Sequence, residues 1–434
     1  MTQGWEPHLA DKTVDQRIVY LTKNVFVAGR TPLVTYNPRD ERQQESEVGS
    51  YLSQGGKALS VSGPTKSGKT VLIEKQLPTH DAIWLQGSDI KSVDEFWERI
   101  VDWYGLYDQV EVSTQNADQT STGVSGSIGV PKVASVTANV GDSSTATSTV
   151  KLARKRAYAA VARQGLETLP VPIVLDDFHY IDRAAQLEVA RAVKSIITIT
   201  HVVLVAVPHE AFEVVRREPD MSGRVWNLRI EPWTKDELIF IAKKGFEALN
   251  VADPEDVVAT KLAEHSYGAP FLMQQLCHDV CTASGILETK NDPQSISGPI
   301  GGWEAFFRRI ANRITPPVFD RLLAGPKSRG QERIDRPFKD GFTTDIYGAV
   351  LRAIAMTGPK TILTYQEITR RLDAELKEDV PSAQQVSNTL RHMSTIAEAE
   401  RGAGDPAVAY KDDRFYVLDP FLAFYLRWGD ALKV

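Results

Sequence analysis

Apolar runs and amphipathic stretches alternate along the first half of the chain. Val25-Phe26-Val27 and Leu33 to Tyr36 read as short extended pieces of an approach segment, 1–50, punctuated by Gly29 and Pro32. Ala58-Leu-Ser-Val-Ser62 reads as a strand that runs into a glycine-rich turn, and Thr70 to Leu77 as a helix stopped by Pro78. A second strand, Ala82 to Leu85, leads to an amphipathic helix over 93–106 with Phe96, Trp97, Ile100, Val101 and Trp103 on its apolar side. A helix over 151–168, a strand Val171 to Leu175, a helix over 183–197 and a strand His201 to Val207 follow. The strands lack the polar alternation of a half-solvated sheet. Strands buried on both faces and separated by helices imply βαβ units, so 51–230 is expected to be an α/β core on a parallel sheet.

From Thr234 the period becomes helical. Thr234-Lys-Asp-Glu237 has the spacing of a capping box, and helices over 255–266 and 270–284 complete a helical lid, 231–300. Breaks rich in Pro, Gly and Ser at 291–301 and 324–337 flank a short helical piece, read as a linker, 301–335. The remainder, 336–434, reads as helices over 343–356, 364–376 and 382–394, strands over 396–401 and 408–418, and a closing stretch Asp419 to Trp428. Three helices and a hairpin predict a winged-helix domain.

The segment 107–150 departs from this rhythm. It is rich in Ser, Thr and Gly, and Lys132 is its only basic residue. The composition fits a disordered linker, whereas the alternation from Val124 to Val140 fits a β-hairpin insertion.

Length changes the picture little: 434 residues predict two or three domains. The formal charge of −6 gives no whole-surface attraction for nucleic acid. The two cysteines, Cys277 and Cys281, lie four apart among apolar residues and read as buried core positions. Met1 to Thr13 lacks a signal-like apolar run, and Val202 to Val207 is too short to span a bilayer, so no membrane contact and a cytoplasmic location are expected.

Chemistry concentrates in Gly63-Pro64-Thr65-Lys66-Ser67-Gly68-Lys69-Thr70, which fits G-x-x-x-x-G-K-[ST] between a strand and a helix. Backbone N–H groups of such a loop converge on phosphate oxygens, and the N-terminal end of the next helix, at Val71, adds positive potential. Lys69 is expected to reach the β- and γ-phosphates and Thr70 to hold Mg²⁺ by its hydroxyl. Asp176 follows the apolar strand and is expected to support the same Mg²⁺, with Asp177 placed to orient or deprotonate an attacking water. His209 ends the next strand, as a γ-phosphate sensor or a surface histidine. Arg224 is a candidate arginine finger, in its own subunit or a neighbouring one, with Arg216 and Arg217 competing for the role.

Together, Ile173 to Asp182, Glu231 to Leu238, Gly268-Ala-Pro270 and Phe415 to Trp428 resemble the STAND class of signal-transduction P-loop ATPases, close to the AAA+ and origin-recognition ATPases. The resemblance spans 50–105 and 150–434. It implies ATP and Mg²⁺ as ligands, Pro270 approaching the adenine, and a winged helix at the C-terminal end. It further implies slow hydrolysis that gates homo-oligomerisation or a separately encoded effector protein, in bacteria often in anti-phage defence or transcriptional control. Gly268-Ala-Pro270 offers no arginine where replication-type AAA+ proteins carry one, which points to a switch over a motor.

A DNA-loading ATPase is the alternative. The third helix of the last domain, Ser382 to His392, has polar side chains but only Arg391 as a cation. Residues 331–434 carry 14 Lys and Arg against 16 Asp and Glu, and Asp412-Asp413 would face a phosphate backbone. Affinity for DNA comes largely from phosphate neutralisation, so packing against protein is favoured.

Overall fold

The computed structural model describes residues 18–106, 127–130, 133–137, 157–206, 223–314, 316–326, 333–358, 360–400 and 405–433. Its centre is a five-stranded sheet of β1 (Ala58–Ser62), β2 (Ile83–Gln86), β5 (Ile173–Asp176), β6 (Val202–Ala206) and β7 (Val225–Arg229). The order is β2-β5-β6-β1-β7 and every pairing is parallel. Strand β6 is buried at all five positions, as a strand covered on both faces must be. The helices Val93–Tyr104, Tyr158–Thr168 and Arg183–Ile196 pack one face, and Gln44–Leu52 with Lys69–Gln76 pack the other. The predicted α/β core is present.

Parallel strands bring their C-terminal ends to one edge. Ser62, Asp176 and Ala206 end β1, β5 and β6 there. β3 (Ser127–Val130) and β4 (Val133–Thr137) pair antiparallel, which answers the alternation seen in the 107–150 segment with a hairpin.

The approach segment differs from expectation. Val25 closes a single helical turn, Thr22–Val25, and 33–36 form no strand. These residues bind the lid instead. Val25 and Phe26 are buried against the lid helix Lys235–Ala248, with Phe26 edge-on to Phe246 at 5.8 Å. That helix starts at Thr234 through a capping box reciprocated by Glu237. The helices Val257–Glu264 and Pro270–Ala283 complete the lid, and Cys277 and Cys281 are buried free thiols whose pKa values rise with desolvation. Two-residue ladders, β8 (Val251–Ala252) with β9 (Gln294–Ser295) and β10 (Arg336–Pro337) with β11 (Thr343–Thr344), tie down the connections.

The stretch read as a linker holds two helices, Gly302–Ile314 and Pro317–Ala324. Phe306, Phe307, Phe319 and Leu322 on them are buried in one apolar core shared by the lid and the C-terminal region. Beyond them lie the helices Ile346–Met356, Tyr365–Glu375 and Ala383–Glu400, and an antiparallel sheet ordered β12 (Ile362–Thr364), β14 (Arg414–Val417), β13 (Val408–Lys411).

Two readings of this region are corrected. The strand expected over 396–401 is the end of the 18-residue helix Ala383–Glu400. Val386, Leu390, Met393 and Ala397 continue its buried face at helical spacing. The single strand over 408–418 is a hairpin. Asp412 and Asp413, both left-handed at φ 49° and 57°, turn it in the manner of a two-residue loop.

The shared core carries a titratable group. His265 packs on Phe307 at 4.5 Å and Trp428 at 5.1 Å, and burial lowers its pKa to about 4. The ring is therefore neutral when folded, whereas the unfolded chain takes up a proton below about pH 6.5. Stability from this group is complete above that value and is lost as pH falls toward 4. Chemical denaturation across this window is expected to show a falling midpoint, and His265→Phe to flatten that slope. An unchanged slope would place the acid sensitivity elsewhere. Phe307→Ala is expected to cost about 3–5 kcal/mol by the same measurement.

Candidate functional site

The loop between β1 and the helix Lys69–Gln76 sits at the C-terminal edge of the sheet. Gly68, at φ 91°, takes a left-handed conformation and caps that helix, so the chain wraps back before Lys69. Lys69 is only 7% exposed, and its ammonium donates to the carbonyls of Gly63 at 3.0 Å and Pro64 at 2.8 Å. Burial lowers its pKa, opposed by the carboxylates of Asp405, Asp177 and Asp176.

The hydroxyl of Thr70 donates to Asp176 Oδ1 at 3.2 Å, and the same oxygen accepts the Asp177 backbone N–H at 3.0 Å. Asp176 ends β5 and is buried. Desolvation raises its pKa, with the charge of Asp177 in the same direction. A hydroxyl and a carboxylate meeting at the mouth of the sheet form an oxygen set suited to a hard divalent cation. The residues present therefore fit Mg²⁺.

Asp177 takes a left-handed conformation, φ 51°, and opens the short turn Phe178–Tyr180. Its carbonyl lies 2.2 Å from where a Cβ on residue 87 would stand, so Gly87 is needed for the close approach. The turn sends Asp177 and His179 toward the loop. Both line a cleft of about 570 Å³ together with Thr65, Lys66, Ser67, Gly68, Lys69, Thr70, Val71 and Pro270.

The rest of the cleft comes from residues distant in sequence. Val27, Thr35, Ile241, Pro270 and Phe271 give it an apolar wall. Gln274, buried on the helix Pro270–Ala283, accepts the Val27 N–H at 3.2 Å and donates to Thr35 Oγ1 at 2.7 Å. Trp233, at the lid entrance, donates its indole N–H to the Ser67 carbonyl at 2.8 Å, and its backbone N–H to Gly268 at 3.2 Å. Arg39 lies over the Trp233 ring at 4.9 Å and pairs with Glu237 at 3.0 Å, while Arg42 binds Glu237 and Glu231. The approach segment, the lid and the loop are thus one connected polar network.

The C-terminal region also reaches the cleft. Asp405 lines it. Phe421 presents its ring 3.6 Å from the Lys66 ammonium, with Phe271 on a second side at 5.3 Å. Burial lowers the Lys66 pKa, and Asp419 opposes that shift.

The structure therefore brings together the loop, Asp176, Asp177 and Pro270. It does not bring Arg224 to them. Arg224 is exposed at the start of β7, where its carbonyl accepts the Ala58 N–H at the beginning of β1. Five residues of strand put it roughly 17 Å from the loop. His209, Arg216 and Arg217 lie outside the described residues. His179, Trp233, Gln274 and Asp405 were not singled out from sequence; of these only His179, three residues past Asp176, carried a local signal. Among the described residues no cluster of three or more His, Cys, Asp or Glu side chains forms a separate metal site, and no helix is long and apolar enough to cross a membrane.

No protein-family model matches the chain, and no curated protein matches it. Solved structures similar to it include the ORC2 protein of Aeropyrum pernix with ADPNP and ADP, at 13% identity and TM-score 0.48, covering 93% of this chain and 96% of that one. Cdc6p of Pyrobaculum aerophilum matches at 12% identity and TM-score 0.43, covering 93% and 97%. The RuvB Holliday junction branch migration motor of Thermotoga maritima matches at 12% and 0.38, covering 88% and 91%.

Arg39 is buried against Glu237, which keeps Arg42 and the Thr234 N–H as partners when Arg39 is removed. Arg39→Met is expected to cost about 1–3 kcal/mol in denaturant unfolding, the loss of charge-assisted hydrogen bonds without a stranded charge. Glu237→Leu, which takes the carboxylate from the buried Arg39 and breaks the capping box at Thr234, is expected to cost more, and a cost no larger than that of Arg39→Met would show that the buried guanidinium does not depend on Glu237.

Proposed function

We propose that the chain binds ATP with Mg²⁺, hydrolyses it slowly, and uses the bound nucleotide to set the position of its C-terminal region. The observation that carries the nucleotide reading is the joint placement of Lys69, Thr70 and Asp176 at one end of an apolar-walled cleft. Backbone N–H groups of Thr65 to Thr70 and the helix beginning at Lys69 would cradle the phosphates. Thr70 and Asp176 would hold Mg²⁺, which when bound neutralises phosphate charge. Asp177 faces the same cleft and is the group placed to orient a water and accept its proton. The wall formed by Val27, Ile241 and Pro270 suits a flat base, with Pro270 against the adenine as the STAND resemblance implies.

Packing of the C-terminal region on the loop supports a switch over a motor. Phe421 on Lys66 and Asp405 in the cleft link nucleotide contacts to a region that also shares the lid core. The three helices and the sheet β12-β14-β13 fit a winged helix, here turned toward protein. Arg391 is engaged by Asn388 at 2.9 Å and lies 6.0 Å from the Tyr410 ring. Release of this region would expose a surface for a second copy of the chain or for an effector. Arg224, exposed and far from its own loop, is available to a neighbouring subunit's site in such an oligomer.

Lys69→Ala is expected to abolish ATP binding, and Asp177→Asn to keep binding while lowering turnover by about a hundredfold or more. Calorimetry and phosphate release measure the two; retained turnover in Lys69→Ala would end the reading. Solution mass with ADP and with a non-hydrolysable ATP analogue is expected to differ, and equal masses with equal protease patterns would remove the switch. A salt-dependent gel shift tests the DNA-loading alternative, and binding that weakens steeply with salt would restore it.

A further inference from the structure

One side chain of the lid entrance grips the loop directly. Trp233, the residue before the Thr234 cap of the lid helix, donates its indole N–H to the Ser67 carbonyl at 2.8 Å. Its ring lies close to the next residue: a Cβ on residue 68 would stand 3.8 Å from Trp233 Cζ2. Trp233 is held in turn by its backbone N–H, which donates to the Gly268 carbonyl at 3.2 Å, and by Arg39 over the ring at 4.9 Å.

The grip falls on a peptide whose orientation decides what the loop can bind. The Ser67–Gly68 peptide is trans, so its carbonyl and its N–H lie in one plane and point in opposite directions. Fixing the Ser67 carbonyl on Trp233 therefore turns the Gly68 N–H away from the indole. Among the described residues that N–H donates to no protein acceptor. Lys66 and Gly68 are left-handed, at φ 62° and 91°, and such turns gather neighbouring backbone N–H groups into an anion-binding concavity. Sterics alone do not hold the peptide there. A flip changes ψ at residue 67 and φ at residue 68, and a glycine accepts either sign of φ. The indole N–H is the group that selects one face.

We propose that Trp233 is a positioning residue for the nucleotide's phosphates: its indole N–H holds the Ser67–Gly68 peptide with the Gly68 N–H presented to a phosphate oxygen. Without that bond the peptide can turn its carbonyl to the same place, where the dipole repels an anion. Loop N–H groups of this kind serve the inner phosphates, so a diphosphate and a triphosphate depend on Trp233 alike. The inference rests on the nucleotide reading of the site.

Packing and hydrogen bonding predict opposite orders for two substitutions. Trp233→Phe keeps a large apolar ring and loses the N–H. Trp233→His loses the benzo ring but carries a ring nitrogen, Nε2, at the place of the indole Nε1. Calorimetric titration of the full chain with Mg²⁺–ADP and with a Mg²⁺-bound non-hydrolysable ATP analogue gives the dissociation constants. Trp233→Phe is expected to weaken both ligands by about tenfold, and Trp233→His by no more than about threefold. Unchanged binding in Trp233→Phe, or a loss in Trp233→His as large as that in Trp233→Phe, would overturn the inference while leaving the nucleotide reading intact. A second measurement needs no variant. The Trp233 indole N–H, assigned by nuclear magnetic resonance through its proximity to the Gly68 methylene, is expected to exchange slowly with solvent when Mg²⁺–ADP is bound. Rapid exchange there would also overturn the inference. Failure of the unsubstituted chain to bind either nucleotide would overturn the nucleotide reading itself, and the inference with it.

Discussion

A buried ammonium organises this molecule. Taking a lysine head group out of water costs several kcal/mol unless oxygen atoms surround it, and Lys69 is almost fully enclosed. Two carbonyls of its own loop, those of Gly63 and Pro64, supply that oxygen, and the charges of Asp405, Asp177 and Asp176 favour the ammonium electrostatically. The carbonyls belong to one loop, whereas the three carboxylates come from β5, the turn after it and the C-terminal region. Keeping Lys69 satisfied therefore constrains the loop, the end of the sheet and the approach of the C-terminal region together. Phosphate oxygens would answer the same demand, so in the function proposed above nucleotide binding and internal packing compete for one cation.

The lid converts that local demand into a longer-range link. Trp233 grips the loop through the Ser67 carbonyl, Arg39 covers Trp233, and Glu237 joins Arg39 to the first turn of the lid helix. The lid core is continuous with that of the C-terminal region through Phe307, Phe424 and Trp428. A shift at the loop therefore meets packed side chains in every direction, and packed interfaces tend to move between discrete arrangements.

Sequence legibility followed range. The loop Gly63 to Thr70 was readable because its chemistry lies within eight consecutive residues between a strand and a helix. Asp176 and the capping box at Thr234 were readable for the same reason. The Trp233 contact with Ser67 spans 166 positions, and no local pattern announces it. Asp405, an acid between a helix and a hairpin, sits in no local pattern that marks it as part of a cleft. The stretch 396–401, expected as a strand, is helical for a specific reason. Ile396-Ala-Glu-Ala-Glu-Arg mimics a period of two, yet the buried positions upstream already set a helical register that Ala397 extends. The approach segment showed apolar residues without showing that their partners lay in the lid.

In the proposed switch, bound nucleotide decides whether the C-terminal region stays on the loop. Hydrogen exchange of the amides in Pro420–Trp428 and Lys69–Gln76 reads that contact directly, with Mg²⁺–ADP and with a Mg²⁺-bound non-hydrolysable ATP analogue. The account predicts slow exchange in Pro420–Trp428 with the diphosphate and clearly faster exchange there with the triphosphate, while Lys69–Gln76 stays protected in both. Equal protection of Pro420–Trp428 in the two states, with both nucleotides shown to be bound, would contradict it.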